Sequence, residues 1–167
     1  MVEKNRFVDN NGCCLKYLFE SIACDVSRGT ILNDQKVCSL TADSRKVESG
    51  CVFVAIRGIT TDGHRFVTDA VDAGAAAIVI ENSYADLFEN VGNCVVISVE
   101  NTTDVLGLLA ARFYGSPADQ LIMTGVTGTN GKTTVAHLIE HVLCEAGFQT
   151  GMIGTVTYRW IDENGNK

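Results

Sequence analysis

The chain has 167 residues, enough for one domain or for one domain and part of another, and its hydrophobic content of 46% is sufficient for a core. Its formal net charge is −7 and no basic patch is visible, which argues against a nucleic-acid partner. Its seven cysteines are odd in number and contain no C-x-x-C pair, so neither a zinc site nor a disulfide framework follows, and reduced, mostly buried thiols are expected.

Residues 1–14 read as a flexible lead. Met1 to Asn11 is charged and polar, without the apolar centre of a signal peptide. No apolar run approaches the ~20 residues of a membrane span. A soluble, cytoplasmic protein with no membrane partner is expected. Leu15 to Ala23 has apolar residues near helical spacing. Val37 to Ala42 alternates toward a strand and enters the polar turn Asp43-Ser44-Arg45-Lys46. The continuous apolar run Cys51 to Ile56 suits a strand buried on both faces. After the polar loop Thr60 to His64, Phe66 to Ala73 reads as an amphipathic helix, with Gly74 as its stop. Ala77 to Ile80 and Cys94 to Val99 read as strands. Thr103 to Tyr114 reads as a helix, with Asn101, Thr102 or Thr103 available as its cap. Strands alternating with helices predict an α/β domain over 15–115.

Gly115-Ser116-Pro117-Ala118 holds the only proline and marks a boundary, with a second unit over 116–167. There the sequence predicts a strand at Leu121-Ile122-Met123, a glycine-rich loop ending in Gly131-Lys132-Thr133, and a helix from Val135 to Leu143. A strand over Thr150 to Val156 and a polar tail, Asp162 to Lys167, follow. Gly128 and Gly131 let the backbone approach a polyphosphate. Converging N–H groups and the free start of the helix would hold it. Lys132 would reach the β- and γ-phosphates and the Thr133 hydroxyl would ligate Mg²⁺. The strict phosphate-loop pattern needs glycine at 126; Val126 stands there and the glycine is Gly125. Two strands and one helix are too few for an independent nucleotide-binding fold.

Other residues admit a functional and a structural reading. His137-Leu138-Ile139-Glu140-His141 matches the inverted zinc-protease pattern H-x-x-E-H, but its place after a phosphate loop already explains the helix. His64 could contact a substrate or cap the helix that follows. Asp43 and Arg45 suit a structural turn or ion pair. Adjacent Cys13 and Cys14 seldom close a bridge without strain.

The segment from Asp43 through Arg57-Gly58 resembles the N-terminal signature of the Mur ligases, and Thr61-Asp62-Gly63-His64-Arg65-Phe66 with Gly74-Ala75-Ala76-Ala77 continues it. Thr127 through Thr134 is similar to the ATP loop shared by Mur ligases and folylpolyglutamate synthetases. Gly151 through Arg159 is similar to the strand that follows in the family member adding the third residue of the peptidoglycan peptide. The resemblance implies an N-terminal UDP-binding α/β domain followed by the first β-P-loop-α-β unit of an incomplete P-loop ATPase domain. It implies ATP and Mg²⁺ as cofactors, and UDP-N-acetylmuramoyl-L-alanyl-D-glutamate with meso-diaminopimelate or L-lysine as substrates. The D-glutamate carboxylate would attack the γ-phosphate of ATP, and the incoming amine would displace phosphate from the acyl phosphate. Gly128, Thr129, Asn130, Gly131, Lys132, Thr133 and Thr134 would hold ATP, with Lys132 catalytic and Thr133 also on the metal. Ala42, Ser44, Ile59, Thr60 and Thr61 match positions that contact the UDP substrate. A monomer is expected. The family's later substrate-contacting segment, metal-binding glutamate and carbamylated lysine have no counterpart here, so this chain alone is expected to be inactive. The alternative from another class is a non-catalytic module that holds a nucleotide or UDP-sugar.

Overall fold

The computed structural model describes residues 8–9, 12–88, 91–156 and 158–160. Residues up to Leu121 and residues from Ile122 onward form two separate units. The first contains β1 (Val8–Asp9), β2 (Gly12–Cys14), α1 (Leu15–Leu18), β3 (Cys24–Arg28), β4 (Lys36–Val37), β5 (Leu40–Thr41), β6 (Val52–Val54), α2 (Val67–Asp72), β7 (Ala77–Glu81), β8 (Val95–Val99) and α3 (Thr102–Phe113).

The central sheet has the order β3-β8-β7-β6-β5. Strands β5 to β8 are parallel, and β3 closes one edge antiparallel to β8. The strand period of two divides the core. Val52, Val54, Val79 and Ile97 pack with Leu15, Leu18, Val105 and Leu109 on one face. Phe53, Ile78, Ile80 and Val96 pack with Val67 and Ala70 on the other. Each fully buried Val, Leu, Ile or Phe side chain among them contributes about 1.5–3 kcal/mol. Both faces are covered, which is why these strands read as unbroken apolar runs.

The predicted helix over Leu15 to Ala23 is reduced to the single turn of α1. Ser21 adopts φ 58°, and the chain turns there into β3. Strand β3 had no sequence signature, because Asp25 and Val26 at its centre are both exposed. The Val37 to Ala42 strand is split. Val37 pairs with β2, while Leu40 and Thr41 pair with β6. Between them the Cys38 N–H donates to the Gly50 carbonyl (3.0 Å). Gly12–Cys14 is strand rather than loose lead, and Cys13 is fully buried. The helix predicted from Phe66 begins as a 3₁₀ turn at Gly63–Phe66 before α2. Helix α3 lies within one residue of its predicted bounds. Asn101 is its cap, accepting from the N–H groups of Thr103 (2.8 Å) and Asp104 (3.3 Å).

The second unit comprises α4 (Lys132–Glu145) and an antiparallel hairpin of β9 (Gly151–Ile153) and β10 (Tyr158–Trp160). The strand predicted over Thr150 to Val156 therefore ends at Ile153. The strand predicted at Leu121-Ile122-Met123 does not form; Ile122 is 95% exposed. Extended backbone becomes a strand only with a ladder partner, and none is present among the described residues. The β-loop-α-β unit thus lacks its first strand. Only Glu140 and Met152 are buried among the described residues of this unit. The polar tail from Asp162 lies outside the described residues.

Candidate functional site

In the first unit the parallel strands β5, β6 and β7 end at one edge, where ligands of open α/β sheets bind. Ala42 and Ser44 follow β5 directly. The backbone turns there because Thr41 Oγ1 accepts from the Asp43 N–H (3.1 Å) and Asp43 Oδ1 accepts from the Arg45 N–H (3.1 Å). Arg45 also clamps Asp43 through Nε and a terminal nitrogen, both at 2.8 Å. These side-chain bonds hold the Asp43 carboxyl well below the usual range. Asp43 and Arg45 are therefore the turn, and Ser44 is left free. Its hydroxyl has no partner among the described residues.

The loop after β6 carries Ile59, Thr60 and Thr61 at its tip, with Ile59 fully exposed. Arg57 and Asp62 form an antiparallel bridge at its base. The Gly58 N–H donates to Thr61 O (3.0 Å), and the Gly63 N–H donates to Ile56 O (2.8 Å). A Cβ on Gly63 would lie 2.8 Å from the backbone of Ile56, so this closure needs glycine.

His64 fastens that base to β7. Its Nε2 accepts from the Glu81 N–H (3.0 Å), which places the ring proton on Nδ1, donating to Asp62 Oδ1 (2.7 Å). The buried ring stacks on Tyr84, centroids 3.9 Å apart. The Tyr84 hydroxyl donates to Asp62 Oδ2 (2.6 Å) and accepts from Arg57 (2.8 Å). The Tyr84 hydrogen bond, followed by those from the His64 backbone and ring, holds Asp62 far below the ordinary carboxylate range against the opposing effect of burial. The sequence offered both readings of His64; its geometry is structural. The sequence reading named Arg57 only within the segment from Asp43 through Gly58, with no role, and did not single out Tyr84. Arg57 closes the apolar run of β6 and could have been noticed, but nothing local marks Tyr84, which joins the group from 22 residues beyond Asp62.

In the second unit, residues 124–131 are loop and Lys132 opens α4. Gly128 has φ +141° and Gly131 has φ +74°, both left-handed-side conformations that favour glycine. Gly125 has neither a positive φ nor any atom near its missing Cβ, so this loop shape does not depend on it. No side chain caps α4 at Gly131. The Val135 N–H makes the first helical bond, to Gly131 O (2.9 Å), leaving the N–H groups of Lys132, Thr133 and Thr134 without intrahelical partners. Lys132 Nζ curls back to the carbonyls of Gly128 (2.6 Å) and Thr129 (3.3 Å). Thr129, Asn130, Thr133 and Thr134 are exposed. The donor set is an open, uncapped helix start with an adjacent ammonium and hydroxyl. It fits an anionic phosphate, and the Thr133 hydroxyl fits a hard cation.

Glu140 and His137 on α4 are engaged by Arg159 of β10. Its guanidinium donates to both carboxylate oxygens of Glu140 and lies 3.0 Å from His137 Nδ1. A cation already occupies the space between these two side chains, which explains the H-x-x-E-H pattern without zinc.

Two family models match the chain: the Mur ligase family catalytic domain over residues 36–114 and the Mur ligase middle domain over residues 126–167. A UDP-N-acetylmuramoyl-L-alanyl-D-glutamate--2,6-diaminopimelate ligase of Phocaeicola vulgatus is 42% identical over 146 residues, covering 86% of this chain and 29% of the relative. The enzyme of the same name from Aquifex aeolicus is 44% identical over 125 residues, covering 75% and 25%. Among solved structures, MurF from Acinetobacter baumannii superposes with a TM-score of 0.59 at 25% identity, covering 78% of this chain and 27% of that one. A structure of a UDP-N-acetylmuramoyl-L-alanyl-D-glutamate--2,6-diaminopimelate ligase gives 0.58 at 25% identity, covering 77% and 26%. The chain thus spans about a quarter of the length of these relatives, 25–29%.

Proposed function

The chain belongs to the Mur ligase family, and on that premise we propose that it is part of an ATP-dependent ligase that adds diaminopimelate to UDP-N-acetylmuramoyl-L-alanyl-D-glutamate. Residues 15–115 form the UDP-substrate domain and 116–167 the start of the ATP-binding domain. The choice of diaminopimelate over lysine follows the names of the relatives. The working place is the cytoplasm, as a monomer; no described helix is long and apolar enough to cross a membrane.

The observation that carries the reading is the uncapped start of α4 behind Gly128 and Gly131, with Lys132 beside it. When bound, ATP would supply the phosphoryl group that turns the substrate carboxylate into an electrophile, and the Thr133 hydroxyl would hold a Mg²⁺ that offsets phosphate charge. The N–H groups of Lys132, Thr133 and Thr134 hold the phosphate oxygens along the helix dipole. Gly128, Thr129 and Asn130 supply the backbone of the cradle, and Gly131 its left-handed exit. Lys132 leaves its two carbonyl partners to reach the terminal phosphates, where its catalytic contribution is charge stabilisation. In the first unit Ala42 and Ser44 after β5, and Ile59, Thr60 and Thr61 after β6, contact the UDP moiety through free hydroxyls and the exposed loop tip.

Calorimetric titration of the chain with UDP-N-acetylmuramoyl-L-alanyl-D-glutamate, then with Mg-ATP, tests this. Binding of the first with only weak response to the second is expected, because much of the nucleotide site's wall is not supplied by α4 and its loop. Clear ATP binding without any response to the UDP compound would sink the assignment.

A further inference from the structure

The assembly at the base of the 57–62 loop holds a cation in place more firmly than a surface arginine requires. Arg57 is exposed and stands three residues past the end of β6, at the edge that carries Ser44 and the 59–61 tip. Its guanidinium lies over the Tyr84 ring, 5.6 Å from the centroid, and donates one hydrogen bond to the Tyr84 hydroxyl (2.8 Å). That partner is neutral. Both oxygens of the nearby Asp62 carboxylate are taken, Oδ1 by the His64 backbone and ring N–H groups and Oδ2 by Tyr84. Among the described residues Arg57 forms no ion pair. Its remaining N–H donors are therefore presented at the sheet edge by a side chain held over the Tyr84 ring, with Asp62 as well as Glu81 acting on its charge.

A planar fork held open in this way matches the paired oxygens of a phosphate group. We propose that Arg57 binds the diphosphate of the UDP substrate and that Tyr84, itself fixed by Asp62 and His64, is the positioning residue that presents it. This rests on the reading of residues 15–115 as a UDP-binding domain.

The experiment is a chemical-shift titration of the full 167-residue chain with UDP and, separately, with uridine, which lacks the diphosphate. Arg57→Gln is expected to weaken UDP binding roughly five- to tenfold, the loss of about one charge-assisted contact at an exposed site, while leaving uridine binding unchanged. Arg57→Lys, which keeps charge but loses the fork, should recover part of the loss. Tyr84→Phe keeps the stack on His64 but removes both hydroxyl bonds, and should weaken UDP binding about two- to fourfold, again without affecting uridine. Unchanged UDP affinity in Arg57→Gln, with the wild-type chain binding UDP, overturns the role of Arg57 alone. Equal loss of UDP and uridine would make Arg57 merely structural and also overturns it. A wild-type chain that binds neither ligand overturns the domain assignment and this inference with it.

Discussion

The thiols show how burial decides chemistry residue by residue. Burial pushes the Cys94 thiol up to about 12 and Cys13 up to about 11, with the neighbouring Cys51 and Cys14 thiols adding a smaller push to each, and it also raises Cys51. Cys38 is exposed. Iodoacetamide at pH 8 should therefore alkylate Cys38 first, with Cys13, Cys51 and Cys94 reacting only after denaturant is added; peptide mapping by mass spectrometry reads the order. The same shifts make stability pH-dependent. A raised thiol stabilises the fold fully below the unfolded value of about 8.5, and that contribution is lost as pH climbs through the folded values. Melting temperature should fall continuously as pH rises from about 8.5 towards 12. At this scale the glycine-rich loop before α4 was legible as a turn because the positive φ of Gly128 and Gly131 belongs to glycine itself. The Tyr84 contact was not, because it exists only once β7 lies beside β6. Roles for Ala42 and Ser44 came from resemblance, and the free Ser44 hydroxyl adds a local reason.

Helices and strands were legible where one residue pattern decides both period and burial. Val52 to Val54, Ala77 to Glu81 and Val95 to Val99 meet that condition, and so does α3 with its asparagine cap. The pattern failed at β3, which is half exposed, and at Leu121-Ile122-Met123, whose apolar character demands a partner strand that the described residues do not provide. Helix α4 depends on a different device. Its one buried residue is Glu140, joined to the hairpin through Arg159. Arg159→Met should destabilise the pairing of α4 with the hairpin, since it takes the guanidinium away from a buried carboxylate. The loss should appear in urea titration as earlier disappearance of hairpin amide protection. Glu140→Leu combined with Arg159→Met should restore most of it, and failure of the double variant to do so would show that the pair holds more than its own charges.

Across the whole chain, stability is unevenly spread. The first unit holds two packed faces on one sheet, whereas the described residues of the second bury only Glu140 and Met152. Amide hydrogens of β6, β7 and β8 should exchange through global opening and those of α4 through opening at least about 2 kcal/mol cheaper. Hydrogen-exchange mass spectrometry separates the two, and uniform protection would contradict the division into units. The α/β class and the order of the parallel strands' segments were visible beforehand because they rest on local runs. The sheet order was not, since strand neighbours are chosen by packing rather than by any single segment.

The antiparallel edge strand has a consequence for the speed of self-assembly. β5 through β8 can be added in succession, each beside the last. β3 must instead wait for β8, and the Ser27 hydroxyl that meets Ser98 (2.8 Å) bridges 71 positions of chain. Closing so long a loop is entropically costly before its contacts repay it. The edge is thus the natural last event of folding. Val26→Ala and Ser27→Ala should quicken unfolding in stopped-flow measurements and leave the refolding limb nearly unmoved.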